Sequence, residues 1–107
     1  MTDVTRGYEL EKRELVAESA GLRVQILTVA AGQCVPWHEH SNIADTFVCL
    51  EGPMAIRTRD PEDETILHPG EMHAVPARQA HYVSGKDGGA CRFLIVQGVG
   101  KYDFVPR

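Results

Sequence analysis

Apolar residues along this chain come in short runs. They are cut by glycine and proline at Gly21, Gly32, Pro36, Gly52-Pro53, Pro61, Pro69-Gly70, Pro76, Gly85, Gly88-Gly89 and Gly98. Few of the intervals leave room for a helix of three turns. Short apolar runs between frequent turn signals read as strands. The pattern predicts strands at 8–17, 22–30, 35–40, 45–51, 54–59, 65–68, 71–76, 80–84 and 91–97. Leu22 to Val29 is rich in Val, Ile, Leu and Thr, and strands favour the β-branched members of that set. The one rival helix is Tyr8 to Glu18, where Leu10, Leu15 and Val16 fit neither period well. It reads as a strand paired with the next through a turn at Ser19-Ala20-Gly21. Asp60 to Glu64 reads as a solvated acidic turn, and Gly85 to Gly89 as a second exposed turn. Many short strands at regular spacing indicate an all-β sandwich or barrel.

At 107 residues the chain has the length of one domain with one compact core. A net charge of -4 leaves no basic footprint for nucleic acid. No apolar run approaches the length of a membrane span, and Met1 to Arg13 is too polar for a secretory signal. Cys34, Cys49 and Cys91 are odd in number and show no C-x-x-C spacing. They read as reduced, mostly buried thiols of a cytoplasmic protein, with a thiolate nucleophile or ligand left open for Cys49. Two phosphate-loop lookalikes, Gly98-Val99-Gly100-Lys101 and Ser84-Gly85-Lys86, lack the required spacing and are plain turns.

His38 and His40 lie two apart in Val35-Pro36-Trp37-His38-Glu39-His40. Alternate strand residues share a face about 6–7 Å apart, so two imidazoles can reach one metal there. Trp37 and Glu39 then point the other way. An isolated His-x-His pair on an exposed edge strand is the plainer alternative, and the flanking spacing argues against it. Gly32 lies six before His38, Asp45 five after His40, and Gly52 seven after Asp45. Further on, Gly70 is followed by Pro76 and His81.

These two blocks resemble the two motifs of the cupin family, the first over 32–52 and the second over 70–85. The resemblance implies a double-stranded β-helix (jelly-roll) barrel, a single cupin domain over 1–107 with residues 98–107 as a C-terminal tail. It also implies one divalent transition metal (iron(II), manganese, nickel, copper or zinc) held by His38, His40 and His81. Asp45 stands where cupins carry glutamate. One methylene shorter, it is either a fourth ligand or a group that tunes the metal through a hydrogen bond. Arg78 replaces a later motif glycine, and Gly85 replaces the terminal asparagine.

Strand parity places Phe47 and Cys49 on the face of Asp45, as core filler or substrate contacts. His73 is either a general base or a histidine tied to a backbone carbonyl. Arg78 is either a carboxylate clamp in the mouth loop or a surface arginine. Gln97 is a candidate polar group on the last strand. Arg57 and Arg59 are expected to face out, and His68 to sit in an exposed turn. The tail carries Tyr102 and Phe104, which need cover from the barrel mouth or a partner. The expected function is that of a metal-dependent enzyme on a small polar organic acid or keto/enol compound. Dioxygenase-type oxidation comes first, isomerase or lyase chemistry second, and a non-catalytic binding or sensor barrel is the alternative. The resemblance also implies a homodimer; no nucleic acid or membrane partner is expected.

Overall fold

The computed structural model describes residues 8–107 in full and residues 3–5 as backbone. Its strands are β1 (Asp3–Thr5), β2 (Tyr8–Leu10), β3 (Lys12–Ser19), β4 (Leu22–Val29), β5 (Val35–Glu39), β6 (Ala44–Glu51), β7 (Met54–Thr58), β8 (Asp63–Leu67), β9 (Met72–Val75), β10 (His81–Gly85), β11 (Cys91–Gly98) and β12 (Val105–Pro106). One antiparallel sheet has the order β12-β5-β10-β7-β8 and the other β3-β4-β11-β6-β9. β1 and β2 pair with each other as a separate two-stranded sheet, and Leu10 of β2 packs into the core. From β4 onward the chain keeps crossing between the two five-stranded sheets, so the strands wind as a double-stranded β-helix.

Alternation builds this barrel. In β4, β6 and β11 every second residue is buried, and those residues supply Leu27, Val29, Phe47, Cys49, Phe93 and Ile95 to the core. Met54, Ile56, Leu67 and Val83 face them from the other sheet, and Val75 of β9 joins them on their own. Phe47 and Phe93 meet edge to face at 5.5 Å, a geometry worth roughly 1 kcal/mol beyond burial.

Two expectations need correction, and the tail gains a short strand. The strand expected over 8–17 is two strands, because each half has a different partner: β2 pairs with β1, and β3 with β4. The chain changes partner at Glu11, which is exposed, while Leu10 beside it is wholly buried. The acidic turn expected over Asp60–Glu64 ends early. Asp63 and Glu64 open β8 opposite Thr58 and Arg57, pairing through the backbone while their side chains stay in solvent. The tail contains β12, which pairs with β5.

The two departures from the second motif have backbone explanations. Arg78 holds the left-handed conformation that suits the glycine it replaces (φ 68°). At Gly85 a Cβ would lie 1.9 Å from the Gly89 oxygen, so the tight turn after β10 admits no side chain there. Arg78→Gly is expected to raise unfolding free energy by about 0.5–1 kcal/mol in urea titrations, because strain relief outweighs the added freedom of the unfolded chain. A loss of stability would show that the arginine side chain contributes more than its backbone costs.

Candidate metal centre

His38 lies on β5 and His81 on β10, and the two are direct partners in the antiparallel register. His40 follows the end of β5. Asp45 lies on β6, opposite Gln97 of β11. Residues 38–45 and the distant His81 thereby place three imidazoles and a carboxylate at one end of the barrel interior. All four residues are at least 97% buried. One ligand atom from each can be chosen so that all lie within 4.8 Å of one another.

Hydrogen bonds fix which nitrogen of each ring faces inward. His38 Nδ1 is 2.8 Å from the Pro36 carbonyl oxygen, and His81 Nδ1 is 2.9 Å from that of Gln79. His40 Nδ1 bonds the Asp103 carbonyl in the tail. A carbonyl only accepts, so each Nδ1 carries the proton and donates it. In a neutral ring each Nε2 then carries a lone pair directed at Asp45. Asp45 Oδ2 lies 2.9 Å from Nε2 of both His40 and His81, and 3.9 Å from that of His38. Lone pairs facing a carboxylate at this range need a cation between them, either protons or a metal ion. The 2.9 Å separations also match neighbouring ligands on a metal with bonds of about 2.1 Å, which stand about 3.0 Å apart in an octahedral arrangement. The donor set therefore fits a divalent transition metal.

The surroundings tune the four groups differently. Burial, and then the neighbouring His81, push His38 down to about 3, so its ring is neutral and ready to ligate. Burial alone would lower the His40 pKa, but the hydrogen bond and charge of Asp45, with the Asp103 carbonyl, outweigh it and raise it. Burial would raise Asp45, but the bonds from His40 and His81 hold its carboxyl well below the usual carboxylate range. Gln97 steadies the other carboxylate oxygen: its Nε2 donates to Asp45 Oδ1 at 3.1 Å. The Gln97 carbonyl in turn accepts from Arg23 Nε and Nη2 at 3.3 and 3.2 Å.

The tail closes the centre from outside. Phe104 stacks on the His38 ring at 4.5 Å, and Tyr102 lies 5.3 Å from the His40 ring. The Ser41 amide donates to Asp103 Oδ1 at 2.7 Å, and Arg107 Nε to Glu39 Oε1 at 2.8 Å. Beneath the tail, a cavity is lined by His38, Asp45, Phe47, Gln97, Tyr102 and Phe104 along with apolar core residues. Its empty space totals about 340 Å³ but is narrow, and the centre of a water molecule can occupy only about 20 Å³ of it. That is room for about one water. Phe104→Ala is expected to cost about 2 kcal/mol of stability, near half the cost at a fully buried site, because Phe104 is half-buried. It is also expected to speed metal exchange with a chelator, followed by stopped-flow absorbance. Unchanged exchange would remove the tail as a barrier.

The other candidates from the sequence fall as follows. Phe47 lines the cavity, whereas Cys49 packs in the core, where burial pushes its thiol up. His73 is half-buried on β9, across from Phe47 in register, and does not line the cavity. Arg78 is exposed and outside the cavity, and it touches the site only through its backbone amide, which donates to the His40 carbonyl at 2.7 Å. Neither the base role for His73 nor the clamp role for Arg78 has support in this arrangement. Arg57 is exposed on the outer face, and Arg59 packs over Trp37 at 3.8 Å. His68 is exposed. Sequence reasoning missed Arg13 and Gln25, which also line the cavity. Gln25 left a readable trace, as the polar residue at the same parity as Leu27 and Val29.

The sequence profile described as "Cupin domain" matches residues 25–97, which contain all four of these residues. The chain belongs to the cupin family. Several solved cupin structures superpose on it. A cupin-2 domain protein from Shewanella frigidimarina is 25% identical, with 81% of this chain and 79% of that chain covered and a TM-score of 0.67. KdgF from a Halomonas species is 16% identical, with 92% and 84% covered and a TM-score of 0.71. Oxalate oxidase is 13% identical, with 80% of this cupin and 46% of that chain covered and a TM-score of 0.70. The last two likenesses show the fold alone. No curated protein matches this cupin. Among the described residues no helix is long and apolar enough to cross a membrane.

Proposed function

We propose that this cupin binds one divalent transition metal on His38, His40, His81 and Asp45 and acts as an enzyme on a small polar organic acid or keto/enol compound. Dioxygenase-type oxidation is favoured over isomerase or lyase chemistry. One observation carries the reading: three inward Nε2 lone pairs converge on the Asp45 carboxylate, with every Nδ1 already committed to a carbonyl. Such a cluster is costly to bury without a cation and well formed around one.

A metal with open positions would supply Lewis acidity toward a substrate oxygen and a site for exchangeable ligands. The protein's own residues do the rest. The backbone carbonyls of Pro36, Gln79 and Asp103 hold the rings in one orientation. Gln97 keeps one carboxylate oxygen engaged, so the other faces the three histidines. Asp45, held ionised by His40 and His81, would supply the negative charge that balances the metal. Phe104 and Tyr102 limit the access of water.

The test is elemental mass spectrometry on tag-free protein, followed by oxygen uptake and product analysis with a panel of 2-oxo and 2-hydroxy acids. About one equivalent of metal with turnover supports the reading. Failure to take up any transition metal after reconstitution would sink it. A second reading, a non-catalytic binding or sensor barrel, is favoured by the tail seated over His38 and His40. Full metal occupancy and ligand binding without turnover would decide for it. The proposal includes a homodimer, supported by the exposed Leu15 (62%) and Val16 (53%) on the edge strand β3. Sedimentation of a monomer alone at tens of micromolar would remove that part.

A further inference from the structure

We propose that a pocket at the barrel mouth, outside Gln97 and walled by Arg23 and Lys101, binds the carboxylate of a small organic anion. The site is separate from the metal centre and does not depend on its occupancy.

Strand register puts Arg23 there. Glu18, Arg23, Gln97 and Asp45 are directly opposed in turn across β3, β4, β11 and β6, so they form one row near the end of the sheet. Directly opposed side chains stand about 4.5–5.5 Å apart at Cβ. Asp45 faces the three histidines, and Gln97 lines both the inner cavity and the outer pocket. Arg23, one strand further out, lines the outer pocket and not the inner cavity.

The Arg23 guanidinium is half-buried and held in place. Its Nε and Nη2 atoms both donate to Gln97 Oε1, at 3.3 and 3.2 Å, and its Cζ lies 4.3 Å from the centre of the Tyr102 ring. These contacts use one side edge and one face. The end edge, formed by Nη1 and the second Nη2 hydrogen, has no hydrogen-bond partner among the described residues. Arg23 forms no ion pair with any of them either, although Glu18 is its register partner. A guanidinium met only by an amide oxygen and a ring keeps its charge, and its free edge matches the two oxygens of a planar carboxylate. Because Gln97 and Tyr102 already hold the side chain, little of its freedom is lost on binding.

Charge and space agree. The pocket wall carries Arg23 and Lys101 against Glu18, a local positive excess in a chain of net charge -4. The centre of a water molecule can occupy about 280 Å³ of this pocket, against about 20 Å³ of the inner cavity. One water needs roughly 10–15 Å³ on that measure, so the pocket has room for an acid of several carbons.

The test is a titration of succinate followed by NMR of the Arg23 and Lys101 backbone amides, with succinamide as the uncharged control. It is run on chelator-treated and on zinc-loaded protein. Saturable shifts are expected in both forms, and succinamide is expected to bind about tenfold more weakly or worse. Arg23→Met is expected to weaken succinate binding about tenfold or more, and the exposed Lys101→Glu severalfold. Lys86→Glu makes the same change in net charge outside this pocket and is expected to bind as wild type does. Circular dichroism melts confirm folding, and if Arg23→Met does not fold, Lys101→Glu decides. Equal binding by wild type and the folded Arg23 and Lys101 variants overturns the proposal. So does equal binding of acid and amide, equal weakening by Lys86→Glu and Lys101→Glu, or no saturable binding by wild type in either form. Binding that needs zinc and ignores Arg23 would place the anion on the metal, keeping the metal reading and overturning this one. Arg23-dependent binding by a chain that takes up no metal would keep this proposal and remove the metal reading.

Discussion

His81→Ala is expected to reduce bound metal from about one equivalent to below about a tenth after desalting, with at least a 100-fold loss in affinity. Loss of a group that only orients a ligand already costs roughly 10–100-fold, and loss of a ligand itself costs more. His81 is 1% exposed and sits 2.9 Å from Asp45, so no water reaches its place without rearrangement. The substitution removes one of three inward lone pairs and leaves Asp45 with fewer partners. The controls are His68→Ala and His73→Ala, since neither residue belongs to the cluster. Both should keep full occupancy by elemental mass spectrometry. Normal occupancy in His81→Ala would rule out the centre as described, and loss in the controls would show that His content matters more than geometry.

The second large effect is on thermal stability, and it depends on pH. A metal at about a thousand times its dissociation constant contributes about 4 kcal/mol. For a chain of this size that corresponds to a rise in Tm of roughly 15–30 °C. The sign of the pH dependence follows from His40, whose raised pKa means that the metal must displace a proton held above the ordinary value of 6.5. Affinity therefore falls as pH drops through that raised pKa. In the metal-free protein the same raised pKa stabilises the fold fully below pH 6.5, and this contribution is lost as pH rises through the folded value. These are two views of one linkage, and it makes the metal's contribution larger at high pH.

His38 has the opposite sign. Its pKa is pushed down to about 3, so the unfolded chain gains a proton that the folded one refuses, and stability falls as pH drops from 6.5 toward that value. The metal-bound and metal-free forms share this loss, so it cancels in their difference. The expected result in differential scanning calorimetry is a metal-induced shift of more than about 15 °C near pH 8, shrinking to a few degrees near pH 5.5. A shift independent of pH would count against histidine ligation.

The sequence by itself was enough for the barrel and for the identity of the clustered residues. Turn spacing and alternation are local properties. The inward positions of β4, β6 and β11 can be counted along each strand without knowing its neighbours. His38 and His40 share a strand face for the same reason, and the motif spacing picked out Asp45 and His81. Only the tertiary structure decided the rest. The break at Glu11 depends on which strands pair with β2 and β3. The inward position of Arg13 depends on the register between β3 and β4, which shifts between Leu15 and Ala17, and a shift of one residue reverses which side chains face the core. His73 and Arg78 were plausible by spacing, yet depth in the barrel, which spacing does not encode, left both outside the cavity. The Asp103 carbonyl that holds His40 lies 63 residues further along the chain. It is a backbone group carrying no side-chain signature, and it reaches the site only because β12 adds to the edge of β5.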